Sequence, residues 1–506
     1  MKYKGLMRDN TEDLAKSGAD ADVTLGYICL ALIAVGVPFG IYALFNSEES
    51  RLVVFDVAAG SFALLGASYI YLRGLRGMAW VSISVLVTIE ALVGFLLVPV
   101  WQFVTGKVLI DESYTYVMLL VLTGFAAFWI GSLVIRREAG LNFAAQVKDT
   151  PERVVFISAI MLAIGGLANL LLWKAGLYSY TSSAGARESS LAFLQWLTFP
   201  TNLLTAALVV SAIEVLAKRS ANSLIRIVFW LSLLLSIGFG VISGMKSGPL
   251  YPLLYISLVY IVANKRMPRA VLLLPVFVVL FIYPFVTAYR NNLKSGYRSQ
   301  INTTEGLQSA LIKSFDDAFL SLNANSPETQ RKYTNATVTR LSYLTYVRDV
   351  YTLSDPTVLN GKEKVWLSPI YPLVPRFLWK DKPVLNKGQR LSIALGGGPF
   401  SSAAITLPGD LYSMYGIYGV IAGMLTWGLC LQLFMNWLGH KHCSEKSLFF
   451  YAIMLPQLLN CESDVVGLVA GTVQLSIIWM FLSFIIYGRL ASPIGVAKNQ
   501  RLKGAL

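Results

Sequence analysis

Charged side chains are scarce in this sequence. Only 14% of its 506 residues are Asp, Glu, Lys or Arg, while 55% are hydrophobic and the mean hydropathy is +0.60. A soluble globular domain carries about 25% charged residues, so this composition excludes that class. Apolar runs of about 20 residues, the length of a helix that crosses the hydrocarbon of a bilayer, recur along most of the chain. The sequence therefore predicts an all-α polytopic membrane protein.

Histidine and cysteine are also rare, and their positions exclude several kinds of site. The four cysteines lie in or beside apolar runs, which indicates packing residues rather than a disulfide framework. The two histidines, His440 and His442, fall in a loop that we expect to be cytoplasmic and solvated. No HExxH, Walker, GxGxxG or CxxC motif of a soluble-type active site is present, and we expect no metal site.

The apolar runs predict about twelve membrane spans, and these spans fall into two groups along the chain. They lie at 24–45, 52–72, 79–104, 114–135, 153–173, 191–217, 224–243, 248–263, 270–289, 411–436, 447–465 and 467–488. About nine of them precede a long polar segment and about three follow it. This pattern predicts five regions: a tail at 1–23, a first bundle at 24–289, a large loop at 290–400, a second bundle at 401–488 and a tail at 489–506.

The distribution of Lys and Arg predicts the orientation. Short loops that stay in the cytoplasm collect these residues. With the N-terminus inside, the cytoplasmic segments carry 22 Lys and Arg, against about 6 in the short loops on the other side. We therefore expect both termini to be cytoplasmic and the loop at 290–400 to be extracytoplasmic.

The large loop is strongly basic. It holds 15 Lys and Arg against 8 Asp and Glu, a net charge of +7. This excess of positive charge predicts an anionic partner. We predict helices at about 306–322 and about 336–353. The second helix carries Arg340 and Arg348 eight residues apart, so both guanidinium groups can point to one side. The aromatic residues nearby suit a membrane interface and sugar rings equally well.

Three short stretches carry a resemblance to a known family. The stretch "TLPGDLYSMYGIYGVIAG" at 406–423 opens the tenth predicted span, "PLVPRFLWKDKP" at 372–383 precedes it, and "SGMKSGPL" at 243–250 opens the eighth. Together they resemble the Wzy-type O-antigen and oligosaccharide repeat-unit polymerases. The third stretch differs from the family's Gly-Ser-Arg-Gly element, because Lys246 stands where Arg is usual.

The resemblance implies a glycosyltransferase of the bacterial inner membrane. Such enzymes join oligosaccharide units carried on undecaprenyl pyrophosphate, on the outer face of the membrane. Because the donor is already activated, the resemblance implies no nucleotide and no other cofactor. The implied partners are these lipid-linked oligosaccharides, the lipid bilayer and a chain-length regulator, and we expect no nucleic acid.

That chemistry requires cations for the departing pyrophosphate and a base for the acceptor hydroxyl. We predict Arg376, inside the Pro-Arg motif, and Asp410, at the mouth of the tenth span, as the catalytic pair. An N-cap of that span is the structural alternative for Asp410. The predicted pyrophosphate-binding residues are Arg290, Arg340, Arg348, Lys246, Lys380 and Lys382. The secondary candidates for the base are Asp381, Asp349, Glu462 and Asp464.

Two other classes stay open from the sequence. One is an O-antigen-ligase-like glycosyltransferase, although related ligases use a loop histidine that this loop lacks. The other is a lipid-linked oligosaccharide flippase or transporter, although such folds are built from repeats that are not evident here. Intramembrane acids are candidate functional groups by default, and for Glu90 we favour a buried, hydrogen-bonded carboxyl over a proton path.

Overall fold

The structure is a computed structural model that describes most of the helical part of the chain. The described residues are 48–75, 82–105, 108–135, 151–176, 178, 191–220, 222–245, 247–264, 282–294, 303–323, 342–361, 364–371, 373–374, 378–379, 381–383, 386–397, 403–438 and 444–487. Every regular element within these ranges is helical. The α-helices are α1 Glu48–Leu75, α2 Ile83–Ala91, α3 Val98–Val104, α4 Glu112–Val134, α5 Glu152–Lys174, α6 Leu191–Ala212, α7 Ser223–Ile242, α8 Leu250–Asn264, α9 Tyr283–Lys294, α10 Thr304–Asn323, α11 Tyr343–Tyr351, α12 Lys387–Ala394, α13 Leu407–Leu438, α14 Glu445–Leu459 and α15 Val465–Tyr487.

In the described part of the chain, eight helices are long and apolar enough to cross a membrane. They are Leu52–Arg73, Ile83–Val104, Glu112–Val134, Glu152–Lys174, Pro200–Ala217, Ser223–Ile242, Leu407–Leu438 and Val465–Tyr487. The predicted all-helical class with membrane-length apolar helices is thus confirmed for these residues. The total of twelve spans and the loop topology stay predictions, because the run at 24–45 and most of the run at 270–289 lie outside the described residues.

Two predicted spans form helices of only 15 residues, fewer than the about 20 that cross a bilayer. The run at 248–263 forms α8, an apolar helix of 15 residues. The run at 447–465 forms α14, which ends at Leu459, and its residues from Leu448 to Leu455 are all buried. An apolar run surrounded by other helices need not match the thickness of a bilayer, so hydropathy alone overestimates its length.

Helices α4 and α13 form the centre of the bundle and touch along their backbones. Gly131 of α4 lies against the carbonyl oxygen of Leu425, and Gly428 of α13 lies against that of Phe128, so neither position has room for a Cβ atom. Small residues let membrane helices approach this closely. Because α4 and α13 pack in parallel, their N-terminal ends lie at the same end of the bundle.

The described parts of the large loop form helices that pack on the bundle and on each other. The helix predicted at about 306–322 is α10, which pairs with α9 through Ala310 and leaves Phe315 63% exposed. The helix predicted at about 336–353 is described from Tyr343 and forms α11, which packs on α4 and α13. Residues 336–341, including Arg340, lie outside the described residues.

Candidate functional site

Most of the described site residues lie at one end of the bundle, near the ends of its helices. We call this end the loop face. Here Arg348 of α11 contacts Asp111, and Arg290 of α9 contacts Gly244. The backbone N–H of Leu407 donates to the carbonyl oxygen of Cys461. The starts of α4, α8, α13 and α15 and the ends of α7 and α14 therefore lie near the described loop segments. Whether this face is extracytoplasmic stays a prediction.

Asp410 is enclosed at the loop face. It is the fourth residue of α13, and Thr406 takes the capping position, so the N-cap alternative does not apply to Asp410. Its side chain is 0% exposed; Oδ1 accepts from Lys387 Nζ at 2.7 Å and Oδ2 accepts from the backbone N–H of Val465 at 2.8 Å. The carboxylate thus joins α12, α13 and α15. Its assignment as the base stays a prediction, and these contacts favour a positioning role.

Arg348 is held by a carboxylate rather than presented to solvent. Its Nη2 lies 2.7 Å from Asp111 Oδ2, its Nε donates to Ser113 Oγ at 2.7 Å, and its guanidinium lies over the ring of Tyr114. Burial alone would raise the pKa of Asp111, but the hydrogen bonds from Ser113, the Tyr114 backbone and Arg348 outweigh it and hold that pKa below its usual range. This arrangement fixes α11 on α4.

Arg290 lies beside the stretch that resembles the family's Gly-Ser-Arg-Gly element. Its Nε donates to the carbonyl oxygen of Gly244 at 2.6 Å. Gly244 has a φ of 65°, a left-handed conformation that glycine adopts without strain, and the turn is braced by the Ser243 hydroxyl. The turn therefore brings a predicted pyrophosphate residue from the large loop to the mouth of α8.

The other predicted cations are not brought together with Arg290 in the described residues. Lys382 Nζ donates to the carbonyl oxygen of Val374 at 3.0 Å, within the Pro-Arg stretch itself. Arg376, Lys246, Arg340 and Lys380 lie outside the described residues. Their predicted roles rest on the sequence alone.

The secondary carboxylates have different surroundings. Asp464 accepts from the backbone N–H of Gly467 and so caps α15. Burial raises the pKa of Asp349, an effect that Arg348 opposes. Asp381 is exposed, as is Glu462 in the turn between α14 and α15.

A cluster of two carboxyl groups at the loop face was not predicted as a unit. Tyr343 Oη donates to Glu90 Oε1 at 3.1 Å, and Glu90 also interacts with the thiol and backbone of Cys461. Glu462 interacts electrostatically with all three. Burial, followed by the interactions with Glu90 and Glu462, raises the pKa of the Cys461 thiol and of the Tyr343 hydroxyl, so both stay protonated donors.

A cavity of about 320 Å³ lies next to this cluster, between α5, α6, α7, α8, α14 and α15. Ser243 and Gly248, on either side of Lys246 in the sequence, form part of its wall, and Asn460 lies two residues before Glu462. Tyr251 also lines it and interacts electrostatically with Glu90 and Glu462. The segment that binds Arg290 and the carboxyl cluster therefore flank one cavity.

No three His, Cys, Asp or Glu side chains within the described ranges lie close enough together to hold a metal ion. The chemistry available at the loop face is that of carboxylates, guanidinium groups, hydroxyls and amides.

Comparison with known proteins finds one family. The sequence model of a family described as a domain of unknown function, DUF8712, matches residues 143–440. No curated protein and no solved structure matches the chain. The matched part includes the turn at Gly244, Arg290, the large loop and Asp410, while Glu90 and Glu462 lie outside it.

Proposed function

Since the chain belongs to the DUF8712 family, whose description names no activity, we propose its function from the loop face: it is a polysaccharide polymerase of the bacterial inner membrane. It joins undecaprenyl-pyrophosphate-linked oligosaccharide repeat units for O-antigen, capsule or exopolysaccharide. The reaction takes place on the outer face of the membrane, where the loop face lies in the predicted topology.

The proposed reaction makes one glycosidic bond and breaks one bond to phosphate. A hydroxyl oxygen of the acceptor unit attacks the anomeric carbon of the donor chain, and the bond from that carbon to the lipid pyrophosphate breaks. The electron pair leaves with the pyrophosphate, and the hydroxyl proton passes to a base. Cations near the leaving group and a carboxylate near the acceptor are the groups that this step needs.

The observation that supports the proposal is a cavity whose wall includes the turn bound by Arg290 and also Tyr251, which interacts electrostatically with Glu90 and Glu462. Arg290 is bound to the turn whose residues Ser243 and Gly248 line the cavity, and its planar guanidinium suits phosphate oxygens. Glu462 is exposed beside the cavity, whereas Asp410 is enclosed by Lys387 and Val465. We therefore assign the base to Glu462 and a positioning role to Asp410, with Arg376 and Lys246 as further cations from the resemblance.

Deleting the gene in the native strain and separating the surface polysaccharide by size tests the activity. A polymerase is required for long chains only, so the deletion strain should carry single capped units. A strain without any units on the final acceptor would identify a ligase, and units accumulating inside the cell would identify a flippase.

Point variants test the residue roles. Glu462→Gln and Arg290→Ala should each lower the polymerisation rate on the order of 10²-fold, because each removes a charge that acts on the transition state. Arg290→Lys should recover part of the rate, since Lys keeps the charge but lacks the planar fork. Asp355→Asn is the control for an exposed carboxylate, because Asp355 lies in the large loop, accepts from the backbone N–H of Thr357, and Asn keeps that bond. Long chains at the wild-type rate in Glu462→Gln would remove Glu462 from the mechanism.

A further inference from the structure

Two buried donors in the wall of the cavity have no acceptor among the described residues. Trp479 of α15 is 1% exposed and its indole Nε1 makes no hydrogen bond, and the hydroxyl of Ser236 on α7 makes none either. Both residues line the cavity. Buried polar groups in native proteins nearly always have a hydrogen-bond partner, so each such group needs an explanation. A ligand with oxygen acceptors that fills the cavity would supply the missing partners.

The remaining lining residues indicate the chemistry of that ligand. Among the described residues, the wall carries amides, hydroxyls and aromatic rings, and no side chain of Asp, Glu, Lys or Arg. The polar groups are Asn169, Asn202, Gln457, Asn460, Thr201, Thr205, Ser243, Tyr178, Tyr251 and Tyr255. An ionic group would be buried here without a counter-charge, and a hydrocarbon tail would leave the donors unsatisfied. A neutral, polyhydroxylated ring satisfies both conditions, because its hydroxyls bond to the amides and its apolar face packs on the aromatic rings.

Part of the wall is already fixed in orientation before a ligand enters. The hydroxyl of Tyr178 donates to Asn169 Oδ1 at 2.7 Å, and Asn169 Nδ2 donates to the carbonyl oxygen of Gly165 at 2.8 Å. The side-chain amide of Gln457 packs against Gly471, so closely that a Cβ atom on residue 471 would collide with the amide nitrogen of Gln457. Side chains held by such contacts bind a ligand with less loss of conformational freedom.

We propose that this cavity binds the sugar ring nearest the lipid pyrophosphate, with the Trp479 indole and the Ser236 hydroxyl donating to its oxygens. The assignment of the sugar's source rests on the proposed polymerase function. The cavity wall includes Ser243 and Gly248 of the turn that binds Arg290, so a sugar here would lie next to a pyrophosphate held by that arginine. The residues that would decide which sugar is accepted are Trp479, Ser236 and Gln457.

A binding experiment with two lipids tests this assignment. The full chain in nanodiscs is titrated with undecaprenyl pyrophosphate that carries one repeat unit, and separately with undecaprenyl pyrophosphate without sugar. The wild type should bind the sugar-bearing lipid at least about 10-fold more tightly. Trp479→Phe should reduce that preference by about 10-fold, the effect of losing a buried hydrogen bond, without changing the affinity for the bare lipid.

Trp427→Phe is the matched control. Trp427 on α13 also has a buried indole Nε1 without an acceptor among the described residues, but it packs against Phe128 and does not line the cavity. Its substitution should leave both affinities at the wild-type values. If Trp479→Phe does not fold, Ser236→Ala and Gln457→Leu make the same comparison, and the affinity for the bare lipid shows that each variant is folded.

The outcomes separate the two proposals. If the wild type prefers the sugar-bearing lipid and the cavity variants keep that preference, the cavity holds water and this inference is wrong, while the polymerase proposal stands. If the wild type has no preference between the two lipids, the polymerase proposal fails and the sugar assignment fails with it.

Discussion

Asp410 occupies a position where its negative charge is matched from two sides. Lys387 supplies the opposite charge at 2.7 Å, and the N–H of Val465, the first residue of α15, supplies a second donor at 2.8 Å. Lys387 is itself 2% exposed, so water solvates neither of the two charged groups. Removing one member of such a pair leaves the other charged and buried.

Asp410→Asn should therefore destabilise the protein by about 3–5 kcal/mol. The combination of Asp410→Asn with Lys387→Met should be more stable than Asp410→Asn alone, because it also removes the uncompensated ammonium group. Thermal unfolding of the purified variants measures both effects, with Asp355→Asn as the control for a solvated carboxylate.

A different result would restore the original prediction for Asp410. An Asp410→Asn variant that unfolds at the wild-type temperature but makes no long chains would identify Asp410 as the base. The sequence could not decide between these roles, because the choice depends on Lys387 and Val465, which lie outside the motif that contains Asp410.

At the scale of elements, α11 is fixed on the bundle by contacts with α4 and with the segment between α2 and α3. Arg348 bonds to Asp111 and Ser113 at the start of α4, Tyr343 packs its ring on Gly94 next to Glu90, and Tyr351 stacks on Tyr116 at 4.5 Å. The sequence indicated Arg348 as one cation of a basic loop and gave no sign of its carboxylate. Pairing of that kind is set by how the loop lies on α4, which local periodicity does not encode.

The pair Arg348 and Asp111 allows a charge-exchange experiment. If Arg348 serves to attach α11 to α4, Arg348→Asp should lower chain polymerisation and thermal stability, and adding Asp111→Arg should recover most of both. If Arg348 binds pyrophosphate, the exchanged pair should recover stability but not polymerisation, because the guanidinium group would then be at position 111, at the start of α4, and no longer on α11. Measuring unfolding temperature and polymer length in the two variants distinguishes the roles.

At the scale of the whole molecule, composition was sufficient for the fold class and insufficient for the site. A chain with 14% charged residues and repeated apolar runs has to satisfy its backbone within helices. The cluster of Glu90, Tyr343 and Glu462 joins α2, α11 and the turn before α15, which lie far apart in the sequence. The sequence indicated Glu90 as an intramembrane acid and Glu462 as a secondary candidate for the base, but only the packing of the helices brings the two side chains close enough to interact.

The predicted orientation of the molecule is tested by labelling. Ser326→Cys lies in the large loop and should react with a membrane-impermeant maleimide in intact cells. Lys148→Cys lies in a segment that we expect to be cytoplasmic and should react only after the cells are permeabilised. The wild type, with its native cysteines, gives the background. Labelling of Lys148→Cys alone in intact cells would reverse the orientation and place the loop face in the cytoplasm.

The bond from Val465 to Asp410 also has a consequence for the order of synthesis. Val465 is translated 55 residues after Asp410, so the ribosome delivers α13 and the loop before the N–H that completes the carboxylate's contacts exists. Until α15 is inserted, the side chain of Asp410 has only Lys387 as a described partner, so the contact between α12 and α13 lacks the support that the bond from α15 gives to the shared carboxylate. The nascent chain therefore assembles its loop face late, and ribosome-bound chains stalled before Val465 should be cleaved by protease near α12 more readily than the finished protein.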